Sequence, residues 1–202
     1  MAGICDNLLK QDIAPSCDDP IVPGFEQEGV IVNRKDIDFS ASTFNSTRKN
    51  VLEAMALKTG KKGYKVLAMG SQPFNGTGTA FAAGTYRNTF THTVAFVVLD
   101  DGPDVRENII DGLANGEFVV VLENKYKGMG KTNPGDCAFQ VYGWYQGLKP
   151  TEMSDGKYSE DTEGGWMVTM QETKSPKSGI YLFKTSYEAT ATLVQTLLTE
   201  AE

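Results

Sequence analysis

The chain has 202 residues, with 19 lysines and arginines against 26 aspartates and glutamates, for a formal net charge of −7. Its 40% apolar content argues against a chain disordered by composition, and the acidic balance argues against wrapping a nucleic-acid duplex over most of the surface. A 22.0 kDa chain should expose roughly 9,000 Å² when folded against about 32,000 Å² unfolded, enough burial for one core without metal or disulfide staples.

The longest apolar run, Val94 to Leu99, is far short of a membrane span. Met1 to Lys10 lacks the basic-then-apolar pattern of a signal peptide. The expectation is a soluble protein made in the cytoplasm, with no membrane insertion of its own. The three cysteines, Cys5, Cys17 and Cys137, form no CxxC pair, and their odd number argues against a disulfide framework. Together with the single histidine, His92, they lack the short ligand spacing of a closed zinc site. Free thiols, no metal and no cofactor are expected.

Residues 1–28 read as an acidic N-terminal arm, with a helical turn near Ile4 to Leu9 and an irregular remainder pinned by Ile21, Val22 and Phe25. Residues 29–202 read as a single β-rich domain. Val30 to Val32 opens it as a short strand. Val51 to Leu57 and Tyr64 to Met69 are strand-like, though the alanines of the first also suit a helix, and Thr59 to Gly63 between them reads as a hairpin turn. Residues 70–89 form a long glycine-rich loop carrying three aromatic anchors, Phe74, Phe81 and Tyr86. A compact domain seldom keeps such a loop without a purpose, and an extended hairpin packing on another chain would supply one.

Phe90 to Leu99 is the clearest strand, with Phe90, His92, Val94, Phe96 and Val98 on one face. A helix follows Asp100-Asp101-Gly102-Pro103, with Val105, Ile109 and Leu113, and Ile110 beside them, as its apolar stripe and Asn115-Gly116 as its stop. Glu117 to Glu123 and Cys137 to Tyr145 are further strands, the latter with Phe139 and Val141 opposite Tyr142 and Trp144. Gly147 to Gly156 turns the chain. Gly165 to Glu172 and Gly179 to Phe183 complete the strands, and a terminal helix begins at a capping box in which Thr185 caps and Glu188 reaches back. The class is mainly β (α+β): an antiparallel sandwich or barrel with one internal packing helix and a C-terminal helix. No strand–helix alternation of a doubly wound sheet is present.

Catalytic signatures are absent. His92 sits mid-strand with no nucleophile elbow beside it, which favours a structural role. Gly130-Lys131-Thr132 ends like a phosphate loop, but Lys125 stands where that motif needs its first glycine, and Pro134 opposes the following helix. Tyr142, Trp144, Tyr145 and Trp166 fit a sheet core and rim, and alternatively a carbohydrate- or protein-binding groove. Charge is unevenly spread. Arg48, Lys61 and Lys62 belong to a basic stretch, and Glu160 and Asp161 to an acidic loop. Opposed patches suit head-to-tail contact between identical copies. These charges, with Phe74, Phe81 and Tyr86, form the expected assembly set.

Asn88-Thr-Phe-Thr-His-Thr-Val-Ala-Phe-Val-Val-Leu-Asp100, Asn108 to Tyr126, Phe139 to Leu148, Lys157 to Trp166 and Pro176 to Gly179 resemble virion structural proteins of tailed phages and prophages of Bacteroides-like bacteria. The resemblance covers about residues 3–200 and is to tail tube subunits. It implies a β-sandwich or barrel that self-assembles into rings, often hexameric, stacked into a DNA conduit within the virion. It implies other tail or connector proteins as partners, DNA passing without specific binding, and no active site. A terminator, connector or decoration protein is the alternative within the same class.

Overall fold

A computed structural model describes residues 9–201. The fold is mainly β, with 38% strand and 13% helix. Two sheets pack face to face as an open sandwich; they do not close into a barrel.

The larger sheet is built around β1 (Phe25–Asn33), β7 (Phe118–Asn124) and β8 (Phe139–Tyr142). β1 and β7 run antiparallel with Val30 opposite Val121, Ile31 opposite Val120 and Val32 opposite Val119. Side chains alternate across a strand, so this register sends Ile31, Val120 and Leu122 into one core. It sends Val30, Val32, Val119 and Val121 into another on the opposite face. The unbroken apolar run of β7 is therefore explained by cover on both sides. Outward from β8 lie β11 (Ile180–Leu182), β3 (Val51–Leu57) and β2 (Ile37–Phe44); outward from β1 lies β4 (Tyr64–Leu67). A 3₁₀ turn, Arg34–Asp36, joins β1 to β2.

The smaller sheet has the order β5-β6-β10-β9: β5 (Gly78–Ala82), β6 (Thr89–Val98), β10 (Trp166–Ser175) and β9 (Lys149–Ser154). β6 and β10 form its spine, paired from Trp166–Val98 to Glu172–His92. Their inward residues Val94, Phe96, Val168 and Met170 are buried against Ile31, Val120, Leu122 and Tyr142. The other face of the larger sheet is covered by α3 (Tyr187–Thr196), which buries Thr190 and Val194, with Leu197 just beyond it.

Several expectations are corrected. β3 and β4 do not form a hairpin: they lie near opposite margins of the larger sheet. The connection between them crosses to the C-terminal segment, where Gly63 N–H donates to the Leu197 carbonyl at 2.6 Å and Gly60 N–H to that of Ala201 at 2.7 Å. A Cβ on Gly63 would stand 2.9 Å from Val30 and 3.0 Å from Val32, so only glycine allows this approach. Turn composition alone cannot distinguish a hairpin from such a crossing.

The 70–89 stretch does contain a hairpin arm as expected, β5, which pairs antiparallel with β6. The supposed turn at 147–156 holds β9. The internal helix has a π turn, Arg106–Ile110, between α1 (Pro103–Val105) and α2 (Asp111–Asn115). The wider turn shifts the inward face by one residue: Ile110 is buried with Val105 and Leu113, and Ile109 is exposed. Gly143, at φ +85, breaks the strand alternation, so Trp144 joins Phe139 and Val141 in one core and Tyr142 lies in the other. Ser186, not Thr185, caps α3, accepting from Ala189 N–H at 3.2 Å.

The arm gives up its last residues to β1, which begins at Phe25. Phe25 packs edge-on to Phe74 and Tyr142. Ile21 and Val22 are exposed and pin nothing; the arm is held instead at Asp19, which accepts from the Tyr126 hydroxyl at 2.8 Å. The turn expected from Ile4 to Leu9, except its last residue, and Cys5 lie outside the described residues.

Candidate assembly surface

Two buried polar side chains, His92 and Glu172, are used within the chain. His92 is 3% exposed. Its Nε2 lies 2.9 Å from the Lys177 carbonyl and its Nδ1 3.0 Å from the Thr79 hydroxyl. A carbonyl only accepts, so Nε2 carries a proton, and Nδ1 is paired with the Thr79 hydroxyl. Both ring nitrogens are thereby occupied in joining β5, β6 and the turn after β10. Glu172, 2% exposed, accepts from the N–H groups of Tyr145 and Gln146 at 2.8 and 2.6 Å. No group of three or more His, Cys, Asp or Glu suited to a metal ion is found among the described residues.

The aromatic set read as a groove is divided. Tyr142 and Trp144 are buried in different cores, and Trp166 lies beneath the Arg106 guanidinium, 5.0 Å from its ring centre. An open groove of ≈ 610 Å³ lies elsewhere, between Glu26, Glu28, Gly70, Glu123 and Tyr187. Lys127 occupies its wall, bonded to Glu26 at 3.2 Å and also to Glu123. The Tyr187 hydroxyl donates to Glu123 at 2.7 Å, which pushes its pKa up to about 12.

The expected assembly residues separate into two groups. Phe74 is 3% exposed and belongs to its own chain's core. Its aromatic ring is spent on internal packing, so it cannot anchor another chain. Phe81 and Tyr86 stay outward, 62% and 100% exposed, on the hairpin between β5 and β6. Phe81 touches Phe90 edge-on, with centres 6.0 Å apart. Arg48 is committed internally: it pairs with Asp136 at 2.7 Å and lies over Phe183. Lys61 and Lys62 are exposed beside the crossing at Gly63, and Glu160 and Asp161 are exposed in the loop before β10. The structure does not bring the basic stretch and the acidic loop together within one chain.

That loop is fastened at its base. Arg106 pairs with Asp101 at 2.9 Å and with Asp155 at 2.8 Å, and Lys157 bridges the same two carboxylates. Hydrogen bonds from Arg106 first and Lys157 second hold the Asp101 carboxyl well below the usual carboxylate range, and Asp155 is lowered in the same way.

Nothing matches this chain among protein-family models, curated proteins or solved structures.

Sequence reasoning missed the margin at β4. Tyr64, Leu67 and Met69 there are 55%, 51% and 59% exposed, and among the described residues β4 has β1 as its only strand partner. Ala68 N–H points into the sheet, toward the Gln27 carbonyl at 2.9 Å. By strand alternation the Leu67 N–H points out of it. An unpaired edge of this kind is a ready template for another chain. The apolar composition of Tyr64 to Met69 was the available signal, but it reads equally as an interior strand.

Proposed function

We propose that the chain is a non-enzymatic virion structural protein of a tailed phage, a tail tube subunit that closes into rings, in the family often of six, and stacks them into a DNA conduit. The observation that carries this reading is the open, apolar β4 edge, together with a hairpin of the other sheet that presents Phe81 and Tyr86 to solvent. Unpaired strand edges permit main-chain bonding between copies, and exposed aromatic side chains supply contact area. A net charge of −7 suits a conduit that repels phosphates and lets DNA slide.

The occupation of both His92 nitrogens and the burial of Glu172 by backbone donors support a structural role over a catalytic one. A terminator, connector or decoration protein would use the same surfaces in a different geometry. Electron microscopy of the purified chain tests the reading. Rings with an axial hole, or tubes of stacked rings, are expected. Isolated single subunits at every concentration and salt would overturn it.

A further inference from the structure

The β6–β10 pair gives the subunit a charge polarity along one axis. β6 has ten residues, about 33 Å of extended chain. At its start lie the hairpin tip 83–88 and, across the pair, the end of β10 and the turn after it; these bring Arg87, Lys174 and Lys177, and residues 83–88 and 173–179 contain no acid. At its far end lie Asp100, Asp101 and Asp104, and beside Trp166 the loop with Asp155, Glu160, Asp161 and Glu163. Among the described residues Arg106 and Lys157 pair there with Asp101 and Asp155 alone.

Independent features mark the same two ends. Tyr86 and Tyr158 are both fully exposed, one at each end. The acidic loop also holds Thr162, 4% exposed, whose hydroxyl has no hydrogen-bond partner among the described residues, and the neighbouring Trp166 Nε1 is likewise unpartnered there. Buried polar groups are normally satisfied, so bonding within this loop is incomplete in the isolated chain. Lys174 and Glu163, one from each end, hold left-handed backbone at φ 60 and φ 48, a conformation that persists only when something else compensates.

We infer that copies of this chain stack head to tail along the β6–β10 axis, the Tyr86–Arg87 tip and Lys177 of one copy seating on the Glu160–Asp161 loop of the next. This rests on the self-assembly reading above and names the faces that meet between rings. The partner is a second copy because the two ends are complementary in charge and each carries an exposed tyrosine. A contact between unlike ends is heterologous and propagates, which fits a stack.

The test is a charge swap followed by sedimentation velocity and electron microscopy. R87E/K177E places two acids at the basic end, and E160K/D161K places two lysines on the loop that faces it. Each variant should lose stacks while keeping the wild-type thermal midpoint, and one chain carrying all four changes should regain them. Wild-type stacks should also shorten between about 0.1 and 1 M salt, as the screening length falls from about 10 to 3 Å. Variants that stack like wild type, or a four-change chain that folds but does not stack, would overturn this contact and leave ring formation standing. A wild-type chain that stays monomeric overturns both readings. If either reversal impairs folding, the neutral R87Q/K177Q pair reads the same contact by loss of stacks alone.

Discussion

The carboxylate of Glu172 accepts a hydrogen bond from the backbone N–H of Tyr145 at 2.8 Å, so a strand of the smaller sheet holds the turn after β8 in the larger one. The same Oε1 accepts from Gln146 at 2.6 Å. Replacing Glu172 by alanine leaves both donors without this partner at a position 2% exposed. The expected loss is about 2–4 kcal/mol, at about 1–3 kcal/mol for each buried donor left unsatisfied and less where water enters. Glu172→Gln keeps an acceptor oxygen and should lose less than half as much. Urea unfolding of the two variants checks the order; equal losses would show that packing, not hydrogen bonding, is the role of this side chain.

Gly143 decides which core receives Trp144. Its φ is +85, and a Cβ there would stand 2.4 Å from the Phe118 carbonyl oxygen. Gly143→Ala meets both left-handed strain and a backbone clash, and should cost at least about 2 kcal/mol. The near-ultraviolet circular dichroism of Trp144 should change with it. An alanine variant as stable as wild type would contradict the assigned turn.

The ion cluster at the base of the acidic loop gives a pH dependence. Asp101 and Asp155 have folded pKa values lowered by Arg106 and Lys157, so their stabilisation is full above the ordinary carboxylate range and is lost as pH falls through the lowered values. Amides of residues 155–165 should lose hydrogen-exchange protection on acidification below about pH 4 before those of β7 do. Unchanged protection of the loop at pH 2 would count against the cluster as its fastening.

Tyr187 titrates in the opposite sense. Donation to Glu123 raises its pKa to about 12, so the folded state favours the neutral phenol. That contribution is full below the ordinary tyrosine value near 10 and disappears as pH rises through about 12. Tyr187→Phe should cost about 1 kcal/mol near neutrality, and its deficit should shrink between about pH 10 and 12. A deficit constant across that range would mean that the hydroxyl does not bond to Glu123.

The elements carried by period and composition were legible in the sequence. β6, β7, β10 and the α3 face of Thr190, Val194 and Leu197 follow from strand alternation or helical spacing. Pairing was less legible, because neighbours in sequence need not be neighbours in a sheet: Thr59 to Gly63 looks like a turn yet links opposite margins of seven strands. β9, with Pro150 and exposed polar residues, has an edge strand's composition and reads as a loop. Of the expected assembly set, Phe81, Tyr86, Lys61, Lys62, Glu160 and Asp161 are exposed. Phe74 and Arg48 were assigned outward because an aromatic ring or a guanidinium carries no sign of an internal partner lying far along the chain.

The central claim is that this chain works through contacts with copies of itself, and the β4 edge tests it most directly. Leu67→Pro removes an N–H that points away from β1 and leaves the in-chain pairing of Val66 and Ala68 intact. Sedimentation velocity over a hundredfold range of concentration should show wild-type rings growing with concentration, and a folded, monomeric Leu67→Pro chain. Wild type sedimenting as a single monomer throughout, or Leu67→Pro forming the same rings, would contradict the account.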